Sequence, residues 1–422
     1  TRSCLAMIRR RSAGIVVLCP HFAPDNAPTG TVMTRIVEEL AALGHQVHVV
    51  TALPWYRTHA IEPGWTGRWV RREITEWGTI TRVHPFPGDD KSNLTRRAAG
   101  FVAYSMLAGI QGLRAAGWFR RADVVIAMSP PLTLGLTGRI VATLRRAPLI
   151  FNIQDVFPDA AVETGAITDR RIVAAARWLE RLSYRRADAV TVLSSDLADN
   201  VRSKLPAKLR HQVFEIPNFV DAEVIVPADR HTAYREQLGL GASPVVLYAG
   251  NVGFSQSLDL IIAAAQEFPD VQFLVNGDGA AQTSLKDAAI GLPNVVFRGY
   301  IGPDRLPELL ATGDIHVIPL KAGLARVSVP SKMYSIMAAG RPVLAAIDEK
   351  TAVPNILRDS GGGIAVPPDD REAFIVGLRE LLADPAAAAS MGSDGRRWVV
   401  EHASPDAVGR AYDSLITTLK TG

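Results

Sequence analysis

Cysteine is scarce: the 422 residues hold two, Cys4 and Cys19. Cys19 ends an apolar run and reads as buried, no zinc-type spacing exists, and no structural disulfide is expected, which suits a reducing cytosol. No Asp-x-Asp pair is present to hold a divalent metal. Neither opening strand is followed by G-x-G-x-x-G, which argues against a dinucleotide oxidoreductase. No uncharged apolar run reaches the roughly 20 residues of a membrane span. The best candidate, 98–119, is interrupted by Arg114 and reads either as a core helix or as a membrane-surface helix between Arg96-Arg97 and Arg120-Arg121. Net charge is small, 46 basic against 42 acidic side chains, or +4, and no nucleic-acid-binding signature accompanies it. Much of the basic excess lies in the first half, in clusters that suit an anionic membrane surface and, taken singly, also suit a solvated face. Residues 1–6 read as an extension ahead of Met7, and no secretory leader is expected, because the apolar run after Arg9-Arg10-Arg11 passes straight into a strand–helix pattern.

What is present is a globular composition, 48% hydrophobic and 21% charged, with length for two or three domains. Short apolar runs alternate with helical patterns: Ile15–Cys19, a helix over 31–43 closed by Gly44, Val47–Val50, Asp123–Ala127, Leu149–Phe151 and Ala189–Leu193. The pattern restarts at Pro244–Ala249 and continues through Gln272–Val275, Val295–Phe297, Ile315–Ile318 and Val343–Ala345. Continuous apolar strands between helices mean parallel sheets covered on both faces, here two in series, with a linker expected from Pro217 to about Thr232. Ligands of such sheets sit at the carboxyl ends of the strands.

The stretch 329–343 carries the most chemistry. Pro330 and Ser331 start a short helix, with Ser331 as its expected N-cap, and Gly340 and Pro342 stop it. A helix start bearing Ser331 and Lys332 suits a nucleoside diphosphate, although the same pattern fits an ordinary strand–helix unit with a solvated lysine. Gly250, Asn251 and Gly253 form a glycine loop whose backbone can approach phosphates, or a plain tight turn. Asn276, Gly277 and Asp278 follow a strand and can face a base or ribose, or only make a turn. Arg326 is a second candidate cation, or an exposed loop arginine. Gly30 lies in the loop expected after the first strand. Asp155 and Asp159 follow another strand and either orient a hydroxyl or cap a turn. His21 is a candidate cleft residue or a solvated loop histidine.

Several blocks, in order, resemble the family 4 glycosyltransferases, the retaining group with the GT-B fold. They are Gly44-His45, Tyr248–Gly253, Phe273–Gly279, Met337–Val343, Gly361–Asp370 and Met391-Gly392. Asn152–Asp159 and Pro330-Ser331-Lys332 resemble the bacterial surface-polysaccharide branch, whose members add fucose, N-acetylfucosamine or related sugars. The resemblance implies two doubly wound, Rossmann-like parallel-sheet domains facing across a cleft. It implies an acceptor-side domain over 1–220, a donor domain over 221–403 and a helix over 404–422 crossing back to the first. It implies a nucleotide-sugar donor, UDP-linked ahead of GDP-linked, with no other cofactor and no metal. The acceptor would be a lipid-linked saccharide bound near 93–119, and the enzyme peripheral on the inner face of the plasma membrane. Implied site residues are Asp155 and Lys332 for catalysis, and Gly30, Gly250, Asn251, Gly253, Asn276, Gly277, Arg326, Ser331 and Ser335 for the donor. The chain departs from the family pattern at five positions. Val327 and Ser335 stand where two glutamates are common, Asn251 and Gln256 replace the glycine-loop Arg and Lys, and Gln154 replaces a histidine. These departures keep two alternatives open: a nucleotide-sugar 2-epimerase on the same fold, and a non-catalytic sugar-nucleotide-binding protein.

Overall fold

The computed structural model describes residues 12–57, 59–87, 94–117, 121–156, 158–159, 169–323 and 332–421, with backbone only over 94–98. The chain forms two compact units. The first runs to Leu193, resumes over Leu197–Ile216 and takes the segment from Gly409 onward; the second takes Ser194–Asp196 and Pro217–Val408.

In the first unit the elements are β1 (Gly14–Leu18), α1 (Pro28–Ala42), β2 (Gln46–Ala52), β3 (Val70–Thr75), β4 (Gly78–Val83), α2 (Leu94–Arg114), β5 (Val124–Ser129), α3 (Thr133–Leu144), β6 (Leu149–Ile153), α4 (Arg170–Arg186), β7 (Ala189–Val192), α5 (Ser195–Lys204) and β8 (Val213–Glu215). Eight strands form one sheet in the order β3-β4-β2-β1-β5-β6-β7-β8. All pairs are parallel except β3 with β4. Successive residues of the central strands, Val16, Val17 and Leu18 or Val125, Ile126 and Ala127, are fully buried, as strands with both faces covered must be. In α1 a proline in the first turn presets the helix, and Met33, Ile36, Val37 and Leu40 form its inward face. The β3–β4 hairpin was not anticipated. Its edge strand reads Val-Arg-Arg-Glu-Ile-Thr, and the charges hide the alternation.

The second unit continues with α6 (Ala233–Gln237), β9 (Val245–Ala249), α7 (Asp259–Glu267), β10 (Gln272–Asn276), α8 (Gln282–Ala288), β11 (Val295–Arg298), α9 (Leu306–Thr312), β12 (Ile315–Pro319), α10 (Lys332–Ala338), β13 (Val343–Ala346), α11 (Ala352–Ser360), β14 (Gly363–Val366), α12 (Arg371–Ala383), α13 (Pro385–His402) and α14 (Pro405–Thr421). Its six strands are ordered β11-β10-β9-β12-β13-β14, all parallel. The expected linker after Pro217 is instead packed into this unit. Val220 and Ile225 join its core, and Arg396 donates to the carbonyls of Ala222, Ile225 and Ala338.

From Gly409 onward α14 completes the first unit. The Tyr412 hydroxyl accepts from Asn152 at 2.7 Å and lies 3.3 Å from the Thr191 hydroxyl. Asp413 meets His45 at 3.0 Å, and Lys420 pairs with Asp123.

Strand order reverses between β1 and β5 in the first sheet and between β9 and β12 in the second. The loops leaving those strands at their carboxyl ends therefore splay apart and leave a crevice in each unit.

Candidate functional site

In the second unit the crevice lies where β9 ends. Gly250 takes φ +145 and Gly277, just after β10, takes φ +154. The two backbones touch: a Cβ on Gly277 would stand 1.8 Å from the Gly250 carbonyl oxygen, and one on Gly279 would stand 2.3 Å from that of Val252. Only glycine permits this approach. The loops are laced together by Gly250 N–H to Asn276 O and Val252 N–H to Asp278 O, both 2.9 Å. The Gly253 amide donates to Gln256 Oε1. Three of the loop's four amides are thus engaged within the protein, which narrows the expected amide cradle to Asn251, whose side chain is exposed.

Lys332, the first residue of α10, brings its ammonium to this loop. Its Nζ would lie 2.7 Å from a Cβ on Gly250, sits 4.6 Å from the centroid of the Tyr248 ring and donates to the Tyr248 hydroxyl at 3.4 Å. That hydroxyl donates onward to Asn251 O. Burial lowers the Lys332 pKa from 10.5 to about 8 and raises that of Tyr248 well above its usual value. Among the described residues no carboxylate pairs with Lys332. A desolvated cation resting on an aromatic face without a counter-ion is poised to receive an anion.

Ser335 lies three residues on, half-buried like Lys332, whereas Met333, Tyr334, Ile336 and Met337 are buried. Residues three apart share a helix face, so Lys332 and Ser335 open to the same side. Arg326 and Ser331 lie outside the described residues.

Asn276 is placed differently from expectation. It is buried, its Oδ1 accepts from the Tyr234 hydroxyl at 2.6 Å and its Nδ2 donates to Gly299 O. Both ends of the amide are occupied by the protein. Asp278 accepts from the Tyr300 amide and from Gln282, a turn role. Tyr300 itself is largely exposed beside this turn, and the sequence reading missed both it and Tyr248.

In the first unit the crevice holds a cavity of about 270 Å³. It is lined by His21 after β1, Trp55 and Tyr56 after β2, Phe101 and Tyr104 of α2, and Pro130 after β5. His21 is neither solvated nor alone. Its Nδ1 lies 2.6 Å from Asp25 Oδ2, it stacks on Trp55 at 5.6 Å, and Tyr56 meets it edge-on. The other Asp25 oxygen accepts from the Tyr56 amide. Arg82, buried in β4 and paired with Glu73, donates to the carbonyls of Phe22 and Ala23 and so fixes this loop.

Gly30 corrects a local expectation. It is the third residue of α1 rather than a loop residue, and a Cβ there would come within 2.8 Å of His21 Cβ, so it lets the helix start pack on the His21 loop. Asp155 follows β6 with an exposed side chain, yet the protein around it desolvates the carboxyl and raises its pKa. Gln154, standing where the family pattern has a histidine, is buried and donates to Asn152 Oδ1. Asp159 is committed elsewhere: burial opposes its charge, but Lys204 at 2.6 Å, with Asn200 and Arg177, holds its pKa below the usual value. Asp155 and Gly30 belong to the first unit, while Lys332, Ser335, Gly250, Asn251, Gly253, Asn276 and Gly277 belong to the second.

Two doubly wound parallel-sheet units, each with a crevice at the carboxyl ends of its strands, are the architecture of the GT-B fold. Residues 29–217 match the glycosyl transferase 4-like domain and residues 243–384 match the glycosyl transferases group 1 domain. The chain belongs to this glycosyltransferase superfamily. It is 28% identical over 384 residues to the putative colanic acid biosynthesis glycosyl transferase WcaI of Escherichia coli K12, covering 88% of this chain and 92% of that one. Its fold is similar to that of sucrose-phosphate synthase from Thermosynechococcus elongatus, with a TM-score of 0.68, 20% identity, and 97% and 99% of the two chains covered. It is also similar to Anabaena HepE in complex with UDP and glucose, with a TM-score of 0.65, 14% identity, and 96% and 100% covered.

Proposed function

We propose that this chain is a retaining, metal-independent glycosyltransferase that moves a hexose or deoxyhexose from a nucleoside-diphosphate sugar to a lipid-linked saccharide in bacterial surface-polysaccharide synthesis, working at the inner face of the plasma membrane. The observation that carries the reading is Lys332: an ammonium desolvated beside Gly250 and Tyr248, with no carboxylate partner among the described residues. When the sugar C1–O bond breaks, negative charge collects on the leaving diphosphate, and a pre-placed cation in a low-dielectric pocket stabilises it. The acceptor oxygen bonds to C1 on the face the phosphate leaves, and the acceptor proton passes to the leaving phosphate oxygen. Among the described residues no group of three or more His, Cys, Asp or Glu side chains could hold a metal ion. The name of WcaI supports the polysaccharide setting.

Asn251 N–H and Ser335 would face the donor with Lys332. Tyr300 offers an exposed ring beside the Gly277–Asp278 turn. The aromatic cavity at His21 supports an acceptor sugar in the first unit, because sugar C–H faces pack on Trp and Tyr rings and the His21–Asp25 pair can bond a hydroxyl.

The test is calorimetric titration with UDP and with GDP, repeated on Lys332→Ala. Binding of one nucleotide, weakened about ten- to a hundredfold by the substitution, is expected for a lost charge-assisted contact. Absence of binding by the wild-type chain, or unchanged binding by the variant, rejects the assignment.

A further inference from the structure

Each helix of the α2–α3–α4 layer on the first unit's sheet exposes large apolar side chains. On α2 Val102, Met106 and Ile110, spaced four apart, form an exposed apolar stripe, with Met106 65% exposed. On α3 Ile140 and Leu144 do the same, Leu144 at 64%, and on α4 Trp178 stands out at 65%. These helices are packed side by side through small contacts. Ser105 Oγ meets Thr133 Oγ1 at 2.7 Å, Gly109 faces Thr137, Gly112 faces Val141, and Gly135 faces Ser183. The exposed side chains therefore belong to one continuous layer, and no described residue covers them. Scattered surface apolar residues need no explanation, but six on three adjoining helices do.

The charge of the layer is one-sided. The three helices carry ten arginines, three in α2, one in α3 and six in α4. Their one acid, Glu180, is buried against Lys204 at 2.6 Å. Arg139 and Arg177 have carboxylate neighbours in Asp188 and Asp159. Arg170, Arg171, Arg181, Arg185 and Arg186 have none among the described residues.

We propose that the α2–α3–α4 face docks on an anionic lipid bilayer, with Met106, Leu144 and Trp178 entering the interface and the α4 arginines meeting lipid phosphates. Apolar side chains, a tryptophan and unpaired arginines on one surface are what a headgroup layer complements, since the first two partition to the acyl boundary and the last draw on the negative surface potential. A second protein would be expected to present acids to so many arginines without needing the aliphatic stripe. No helix among the described residues is long and apolar enough to cross a membrane. Phe101 and Tyr104 of α2 also line the His21 cavity, so docking brings the membrane surface to the helix that borders the acceptor cavity. This deepens the lipid-linked acceptor reading and rests on it for its purpose, but vesicle binding is measured without donor or acceptor, so either can fail alone.

The experiment is flotation of the full chain with vesicles of phosphatidylcholine alone and of phosphatidylcholine mixed with phosphatidylglycerol, at low and high salt. The expected result is binding to the anionic vesicles only, reduced by salt. It should be weakened about tenfold or more in Met106→Glu/Leu144→Glu and in Arg181→Glu/Arg185→Glu, both of which keep wild-type nucleotide binding as evidence of folding. Equal binding to neutral vesicles, no binding to anionic ones, or full binding by both variants overturns the proposal. So does a dimer that the apolar variant converts to monomer, because a second copy would then be the occupant.

Discussion

Lys332 works against folding in order to work for binding. Its ammonium is held where its pKa falls to about 8. A depressed lysine pKa means that the unfolded chain holds the proton more tightly than the folded chain between about pH 8 and 10.5. Folding stability therefore rises with pH across that window as the buried ammonium discharges. Lys332→Met, which keeps the length and removes the charge, is expected to stabilise the protein at neutral pH by on the order of 1–3 kcal/mol, seen as a higher Tm, while weakening UDP binding about ten- to a hundredfold. A lower Tm in that variant would mean the lysine has an unseen stabilising partner. Ligand binding has the opposite pH sense: the diphosphate needs the charged form, so affinity falls as pH rises through about 8. Between pH 8 and 10 each bound UDP should draw in up to one proton. Calorimetry in two buffers of different ionisation enthalpy reads that uptake directly.

At the scale of elements the sheets were easy to read and the loops were not. Runs such as Val245–Tyr248 or Val124–Ala127 are apolar at every position, a pattern that a strand buried on both faces produces and a hairpin does not. β3 escaped because Arg71, Arg72 and Glu73 sit on an edge. Lys332 and the 250–253 loop stood out as candidates because glycines, a helix start and a lysine leave local marks, and the structure brings the two together. Of the His21–Asp25–Trp55 arrangement only His21 stood out, since Trp55 comes from the loop after a different strand and meets the pair only once strand order is known. Asn276 shows the converse: a polar residue at a strand end looks like a ligand contact until Tyr234, 42 residues earlier, is seen to occupy it. The two glycines of the turn separate by experiment. Gly277→Ala drives a Cβ into the Gly250 carbonyl, so backbone must move, and the unfolding free energy should fall by about 2 kcal/mol or more together with UDP binding. Gly250→Ala shares the strain of a positive φ, but its nearest obstacle is the tip of Lys332, which can retreat, rather than backbone. Its loss should fall more on nucleotide affinity than on Tm, relative to Gly277→Ala.

At the scale of the molecule the first unit is closed by the far end of the chain. Asp413 reaches His45 and Tyr412 reaches Asn152 and Thr191, all in the interior. Asp413→Ala should cost about 1–3 kcal/mol by orphaning a buried imidazole nitrogen, and it should do so without changing UDP affinity, because the lysine and glycine loop are in the other unit. Denaturant unfolding paired with titration checks both halves of that statement.

The same closure sets a schedule for biosynthesis. Residues 217–408 are made as one consecutive block, so the second unit needs almost nothing from elsewhere in the chain to pack. The first unit starts earlier yet cannot seal until the stretch beginning at Gly409 has emerged. For nearly two hundred codons, Asn152, Thr191 and His45 wait without Tyr412 and Asp413. The half of the protein born first is thus the half completed last, and it is in that interval that a nascent chain would most need a chaperone's cover.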